Sequence, residues 1–465
     1  MRTRLAACFT FFYLGSLAVA AFGQEARPNI VVLYADDAGY ADFGFQPDAA
    51  RDLVSITPHI DSIAKNGARF SNAYMSGAVC SPSRAGLLTG RYQQRFGHER
   101  NIPPGYMKGG MSLDEQTIAN RLAELGVATG LVGKWHLGYP PEYHPNKRGF
   151  DWFFGLLQGS RGYYAKDTSA HRTIQENGKM LPEVGYVTDR FGDAAARFID
   201  EHAQQPFFLF VSFTAPHGPL QAKESDLELL ANIEPIKRRK YAGLVKSLDD
   251  AVGVVLASLE KNDLLDRTLL VFTNDNGGQT LTGANNFPLR GRKGDPWEGG
   301  VRVPMAMQWP GHIQAGSVID DAVSSLDFLP TFVALHGGKI DPAWQLDGID
   351  LTDRLTGKVS TLPARKLYWR TTGSGGNTAM RHGNYKLVVE RGKPETHGQV
   401  HLFDLAKDLS ESNNLASQEP ERVKQMLAAL EAWEAELMEP LWGNGPKPRF
   451  VADSSSLETD ASDRR

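Results

Sequence analysis

The sequence predicts an α/β protein: a large mixed, mostly parallel sheet flanked by helices, followed by a smaller C-terminal α+β subdomain built on a short antiparallel sheet. Two observations carry this. Continuous apolar runs of strand length alternate with helical patterns as far as about Leu335, the alternation that builds a mainly parallel sheet. Beyond it come short strands separated by Gly-rich or polar turns, Lys366–Trp369, Tyr385–Val389 and Val400–Phe403, and then a helix over about Glu419–Leu437.

The elements of the first part follow in order. Asn29–Ala35 is apolar throughout, as a strand buried on both faces must be, and it runs into Asp36-Asp37. A helix over about Pro58–Asn66 has Thr57 as its N-cap, Pro58 at its first position and Gly67 as its stop. Ser81 and Pro82 read as N-cap and first helical residue of a segment closed by Gly90, which places Cys80 just before a helix N-terminus. Ser112-Leu113-Asp114-Glu115 reads as a capping box opening a helix through Leu125, with Gly126 ending it. Val127–Val132 is the next strand, with Gly133-Lys134-Trp135-His136-Leu137-Gly138 at its end. Phe207–Phe213 is a buried strand leading to Pro216-His217. From Lys237 to about Lys261 apolar residues recur at helical spacing, and Thr268–Thr273 is a strand running into Asn274-Asp275-Asn276. Each charged motif thus falls just past the C-terminal end of a strand, where open α/β sheets gather their ligands.

Residues 1–23 form a secretory signal peptide: Arg2 and Arg4, an apolar stretch through Leu14, then small residues, with cleavage near Ala20 or Gly23. Leu5-Ala6-Ala7-Cys8 is no lipobox, because the apolar core follows the cysteine. The chain is expected to be exported, to a bacterial periplasm or the medium, with no membrane span. The divisions expected are a catalytic domain over 24–335, a C-terminal subdomain over 336–440 and a loose tail over 441–465. A net charge of −4 argues against nucleic acid as a partner, so an anionic substrate needs a local basic pocket.

Without the leader, Cys80 is the one cysteine left, so it has no intrachain disulfide partner. It begins Cys80-Ser81-Pro82-Ser83-Arg84-Ala85-Gly86-Leu87-Leu88-Thr89-Gly90. The pattern C-x-P-S-R-x-x-x-L-T-G resembles the signature of type I sulfatases, arylsulfatase-like enzymes of the alkaline phosphatase superfamily. In that family a maturation enzyme, oxygen-dependent or anaerobic, oxidises the cysteine to Cα-formylglycine (3-oxoalanine). The resemblance runs from Asn29 to about Ala416 and includes Gly133–Gly138, Pro216-His217-Gly218-Pro219, Lys293–Pro304, Arg381–Leu387 and Leu402–Leu405. It departs at Asn274, where serine is common, and at Asp408-Leu409-Ser410-Glu411 in place of a D-P-x-E turn.

Two oxygen-rich pairs, Asp36-Asp37 and Asp275-Asn276, suit a hard divalent cation. The resemblance implies that these four, with Cys80, bind Ca²⁺ before Mg²⁺. It further implies a catalytic set of Cys80, Arg84, Lys134, His136, His217 and Lys293. In the mechanism we expect, the hydrated aldehyde attacks sulfur, Asp275 helps remove its proton, and Arg84 and Lys134 hold it. His217 and Lys293 contact the sulfate and the bridging oxygen, with His217 as general acid, and His136 takes the last hydroxyl proton as sulfate leaves.

The expected substrate is a sulfated carbohydrate or polysaccharide, such as an algal galactan (carrageenan) or a glycosaminoglycan. Ser160, Arg161, His98 and Asn285 lie in loops whose polar groups suit it, and Trp135, Trp152 and Trp297 could stack on a sugar or, more often for tryptophan, pack in the core. Two alternatives keep their place at this stage: a formylglycine-dependent phosphonate or phosphate monoesterase, and a polysaccharide-binding protein with a decayed site.

Overall fold

In the computed structural model, which describes residues 27–164, 171–392, 396 and 398–443, sixteen strands fall into three sheets. In chain order they are β1 (Asn29–Ala35), β2 (Ala68–Phe70), β3 (Ala73–Tyr74), β4 (Ala128–Lys134), β5 (Trp152–Leu156), β6 (Gln175–Glu176), β7 (Lys179–Met180) and β8 (Phe207–Ser212). Then come β9 (Thr268–Asn274), β10 (Met305–Gln308), β11 (Ser317–Ile319), β12 (Val323–Ser324), β13 (Lys366–Arg370), β14 (Thr378–His382), β15 (Tyr385–Glu390) and β16 (Gln399–Asp404).

The main sheet has the order β11-β2-β10-β9-β1-β8-β4-β5-β6-β7. Its centre, β9-β1-β8-β4-β5, is wholly parallel, β10 and β6 flank it antiparallel, and β7 pairs antiparallel with β6. Because side chains alternate along a strand, β1 feeds two cores. Val31, Leu33 and Ala35 pack with the helices Val187–Glu201 and Ile236–Lys261, while Ile30, Val32 and Tyr34 pack with Cys80–Thr89, Ile118–Glu124 and Phe328–Leu335. Helices on both faces bury the sheet, which is why its strands read as unbroken apolar runs.

The small sheet is the antiparallel meander β13-β14-β15-β16. One face, with Met380, Leu387, Val389 and Leu402, packs on Val423, Leu427, Leu430 and Trp433 of the helix Pro420–Glu434. The other, with Trp369, Ala379, Val388 and Phe403, packs on Tyr74, Trp297 and Val301 of the first unit.

Several local expectations are corrected. The Cys80 helix spans Cys80–Thr89 with Val79 as N-cap, so Cys80 is its first residue, not the one before it. Ser81 caps nothing, because its hydroxyl donates to the His136 carbonyl at 2.7 Å. Gly90 does close the helix, in the left-handed conformation at φ 66°. The box at Ser112 is not formed: the helix spans Ile118–Glu124 and its box is Thr117 with Asn120, while Glu115 is taken by Arg91 at 2.5 Å. Thr57 stands at the N-cap, yet its hydroxyl serves Gly44 N and Asp61. β14 was absent from the expected strands; its residues Thr378 to His382 mix small, polar and charged side chains. Leu441 and Trp442, at the start of the expected tail, are hydrogen-bonded to Gly97 and Arg100. The proposed signal peptide and residues 444–465 lie outside the described residues. No described helix is long and apolar enough to cross a membrane.

Candidate active site

Four strand ends converge. Asp36 and Asp37 follow β1, Asp275 and Asn276 follow β9, Lys134 ends β4 with His136 two residues on, and His217 lies beyond β8. The turn after β1 is held by its neighbour: Asp37 adopts φ 69°, its N–H donates to Asp275 Oδ1 at 3.2 Å, and Asn274 bonds both the N–H and the carbonyl of Ala38. Asn274 therefore locks the Asp36-Asp37 turn to β9, its amide oxygen accepting from Ala38 and its amide nitrogen donating back to it.

Cys80 Sγ sits in the middle, 3.6 Å from Asp36 Oδ1 and 3.1 Å from Lys293 Nζ. Burial pushes its thiol up to about 12, despite the lysines Lys134 and Lys293 beside it. It is thus a protonated thiol at neutral pH and a poor nucleophile as it stands. Lys134 Nζ reaches Asp36 Oδ2 at 2.5 Å, and Lys293 Nζ reaches Asp37 at 2.7 Å. Arg84, fully buried, bridges Asp275 at 3.2 Å and Asp36 at 3.5 Å, and its guanidinium lies over the Tyr34 ring. Burial would raise the Asp36 pKa, but Lys134, then His217, Arg84 and Lys293, hold the carboxyl well below the usual range. Burial and next the charge of Asp36 push Asp275 the other way.

The two histidines differ. His136 is buried, at φ 63°, with Nδ1 unpartnered, and burial followed by Lys134 and Arg84 drives its pKa well below the ordinary value. Its ring lies against Gly159, where an added Cβ would come within 2.3 Å of it. His217 is a quarter exposed; Nδ1 donates to the Gly218 carbonyl at 2.7 Å, which leaves Nε2 facing Asp37 Oδ2 at 3.5 Å.

The donor set fits a hard divalent cation. One carboxylate oxygen each from Asp36, Asp37 and Asp275 and the Cys80 sulfur all lie within 4.8 Å of one another, and all four residues are buried. Asn276 Oδ1 is buried with no partner, while its Nδ2 donates to Asp37 at 2.9 Å. An orphaned acceptor among three buried carboxylates is what an oxygen-coordinated ion would satisfy.

The catalytic and metal candidates thus lie together; the substrate candidates sit in the surrounding loops, several of them already committed to other partners. Ser160 is half-buried in the loop after β5. Arg161 is taken by Glu183 at 2.6 Å. His98 is fully buried, bonded to Ser81 Oγ at 2.6 Å and edge-on to Trp442. Asn285 Oδ1 accepts from Phe287 N in its own loop. Trp135 and Trp297 are buried, and Trp152 stacks on Phe198.

A family model described as Sulfatase matches residues 28–338, and one described as N-sulphoglucosamine sulphohydrolase, C-terminal, matches 295–436. Human arylsulfatase A is 34% identical over 90% of this chain and 90% of its own length. The chain belongs to the sulfatase family. Mouse arylsulfatase J is 33% identical over 71% of this chain, an alignment that spans only 56% of that relative. A solved structure of Ps i-CgsB in complex with k-i-k-neocarrahexaose superposes with a TM-score of 0.84 at 36% identity, covering 90% of this chain and 95% of that one. The sulfatase architecture of the alkaline phosphatase superfamily, mixed sheet plus small antiparallel sheet, is the one described above.

Around this sulfatase centre stand residues that the motifs did not single out. Ser212, the lone polar residue ending the run Phe207–Val211, donates to the Lys134 carbonyl at 2.6 Å and contacts Arg84. Tyr163 donates to the carbonyls of Thr214 and His217, fixing the His217 turn. Behind the Lys293 loop, Glu411 Oε2 accepts from Glu298 N at 2.7 Å, and its carbonyl accepts from Arg290. The loop is thereby clamped at both ends by the C-terminal unit.

Proposed function

We propose that this chain hydrolyses sulfate esters on a sulfated carbohydrate, using formylglycine made from Cys80 by an oxygen-dependent or anaerobic maturation enzyme and a divalent cation, Ca²⁺ before Mg²⁺. The observation that carries this is the placement of Cys80 Sγ within reach of both Lys293 and Asp36, among carboxylates that are interleaved with cationic and imidazole groups. The cation, held by Asp36, Asp37, Asp275 and Asn276, would supply charge neutralisation at the reacting centre. Formylglycine, once hydrated, supplies the oxygen nucleophile that a buried neutral thiol is not.

The chain's own residues divide the remaining work. Arg84 and Lys134, locked by Asp275 and Asp36, hold position 80 and hold positive charge there without moving during the reaction. Lys293, which burial opposes but the carboxylates of Asp37, Asp36 and Asp275 hold well above the ordinary lysine range, stays protonated and meets the sulfate. His217, with its Nδ1–H committed to a carbonyl, can carry a proton on Nε2 beside Asp37 and deliver it to the leaving oxygen. His136, held neutral at rest because burial, Lys134 and Arg84 lower its pKa, has an unpartnered ring nitrogen to accept the last proton at position 80 as sulfate leaves.

A carrageenan-type galactan is the reading that the neocarrahexaose-bound relative supports, with glycosaminoglycans as the other class. The catalytic domain is assigned to 24–335 and the subdomain to 336–440, after export to a periplasm or the medium. The test is ion chromatography of sulfate released from sulfated galactan and glycosaminoglycan oligosaccharides by protein co-expressed with a maturation enzyme. Release that disappears with the unmatured protein supports the proposal; phosphate release from matched phosphate esters without sulfate release would overturn it.

A further inference from the structure

A cavity of about 220 Å³ opens where the loop before the Cys80 helix meets β13, between the two units. It is smaller than the ~300–1,000 Å³ of a drug-sized ligand site and has room for one sugar ring. Its walls include Val79 and Gly294, the chain neighbours of Cys80 and Lys293, and Gly294 N is tied to the Ala78 carbonyl at 2.8 Å. The far wall is Arg100, Asn101, Thr371 and Thr372.

The charge of this wall is decided by pairing. Glu99 and Arg370 also line the cavity but neutralise each other through a buried, two-pronged ion pair, 2.7 Å at its shortest. Among the described residues no carboxylate pairs with Arg100. Its Nη2 donates to the Thr372 carbonyl at 2.9 Å, and its Nε is buried without a partner. Thr372 is held at φ 68°, a conformation that β-branched residues rarely adopt and that marks sites where geometry is imposed. Asn101 Oδ1 accepts from Ser81 N at 2.9 Å, so the loop bearing Arg100 is anchored to the Cys80 helix itself.

Resting on the sulfatase reading of the neighbouring centre, we propose that this cavity is a sugar subsite in which Arg100 binds a second anionic substituent of the glycan, a further sulfate ester or a carboxylate. The chain would then prefer doubly charged sugar units, with the scissile sulfate at position 80 and the other anion at Arg100.

The experiment compares three probes on matured protein: 4-nitrophenyl sulfate, a monosulfated galactan disaccharide and its disulfated counterpart. Arg100→Ala is expected to raise KM about tenfold or more for the disulfated probe, the loss of a charge-assisted hydrogen bond, and to change the other two by less than about twofold. A uronate-bearing disaccharide run in parallel separates a carboxylate from a sulfate as the second anion. Equal losses on all three probes, or no loss on any, would overturn the proposal. Calorimetric binding of the disulfated probe to Cys80→Ala protein, with and without Arg100→Ala, reads the subsite independently of turnover. Binding weakened about tenfold by the arginine change supports it and unchanged binding refutes it, even if no sulfate is released and the hydrolase reading fails.

Discussion

At the ends of β1, β4 and β9, Asp36, Asp37 and Asp275 face Arg84, Lys134 and Lys293; behind the Lys293 loop, Glu298 and Glu411 face Lys386 and Arg302. Both clusters are buried and built from the same kinds of groups, yet they are arranged differently. Glu298 bonds Lys386 at 2.8 Å, Tyr74 at 2.7 Å and Arg302 at 3.0 Å, and Lys386 also reaches Glu411 at 3.1 Å. Burial would raise Glu298, but Lys386, Arg302 and Arg381 hold it well below the usual range. In the centre, Asn276 Oδ1 and His136 Nδ1 have no partner, and burial with the charge of Asp36 pushes Asp275 up. Glu411 in the second cluster is pushed up as well, to about 7 and chiefly by burial, and its Oε1 and Arg302 Nε lack a hydrogen bond, so orphaned atoms alone do not mark a site. The difference is convergence, since among the described residues only the centre brings carboxylate oxygens and a sulfur within 4.8 Å of one another.

The sharpest way to break this contrast is to remove one of the converging carboxylates. Asp275→Ala takes a carboxylate from the cation set and a partner from Arg84, and should lower sulfate release at least about a thousandfold while abolishing calcium binding. Ion chromatography and calorimetry check both. Lys293→Ala, which leaves the carboxylates in place, should cost about 10²–10³-fold in kcat, with a larger deficit for alkyl than for aryl sulfates because the leaving oxygen then needs more help.

The Glu298–Lys386 cluster should respond in stability instead. Lys386→Met leaves Glu411 without its lysine and takes one of three partners from Glu298, and should destabilise the fold by about 3–5 kcal/mol, seen in chemical denaturation, while kcat falls by less than about tenfold. A larger loss of kcat than of stability would show that Glu411 governs Lys293 through the loop and would blur the contrast.

The smallest effect concerns His98, where burial, with a minor contribution from Arg148, lowers the pKa to about 3. Since the unfolded value is about 6.5, the unfolded chain takes up the proton first on acidification. The stability His98 contributes is complete above about pH 6.5 and drains as pH falls toward 3. Urea midpoints measured from pH 7.5 to 4.5 should slope less in His98→Gln than in the parent; an unchanged slope would contradict the assignment.

What could be read from the sequence follows the same line. The strands of the parallel sheet were legible because burial on both faces writes an unbroken apolar run, and their charged ends stood out against it. Arg84, Lys134 and the carboxylates were legible as dense motifs. His98 and Arg161 looked like substrate contacts because loop position does not reveal a partner as distant as Trp442 or Glu183. Ser212, Glu411 and Thr372 were hidden for the same reason: each matters through contacts made across long chain separations. The helix start falls two residues earlier than expected, at Cys80 with Val79 as cap, because Ser81 is bonded tertiarily to His136 instead of capping locally.

The central claim, that the cluster at Cys80 is an unfinished site awaiting a hard cation, is tested most directly by titrating Ca²⁺ into chelator-treated protein and following heat and unfolding temperature together. The account predicts one equivalent bound and a rise in unfolding temperature, both lost in Asp275→Ala. No saturable binding and no shift in the parent protein would contradict it.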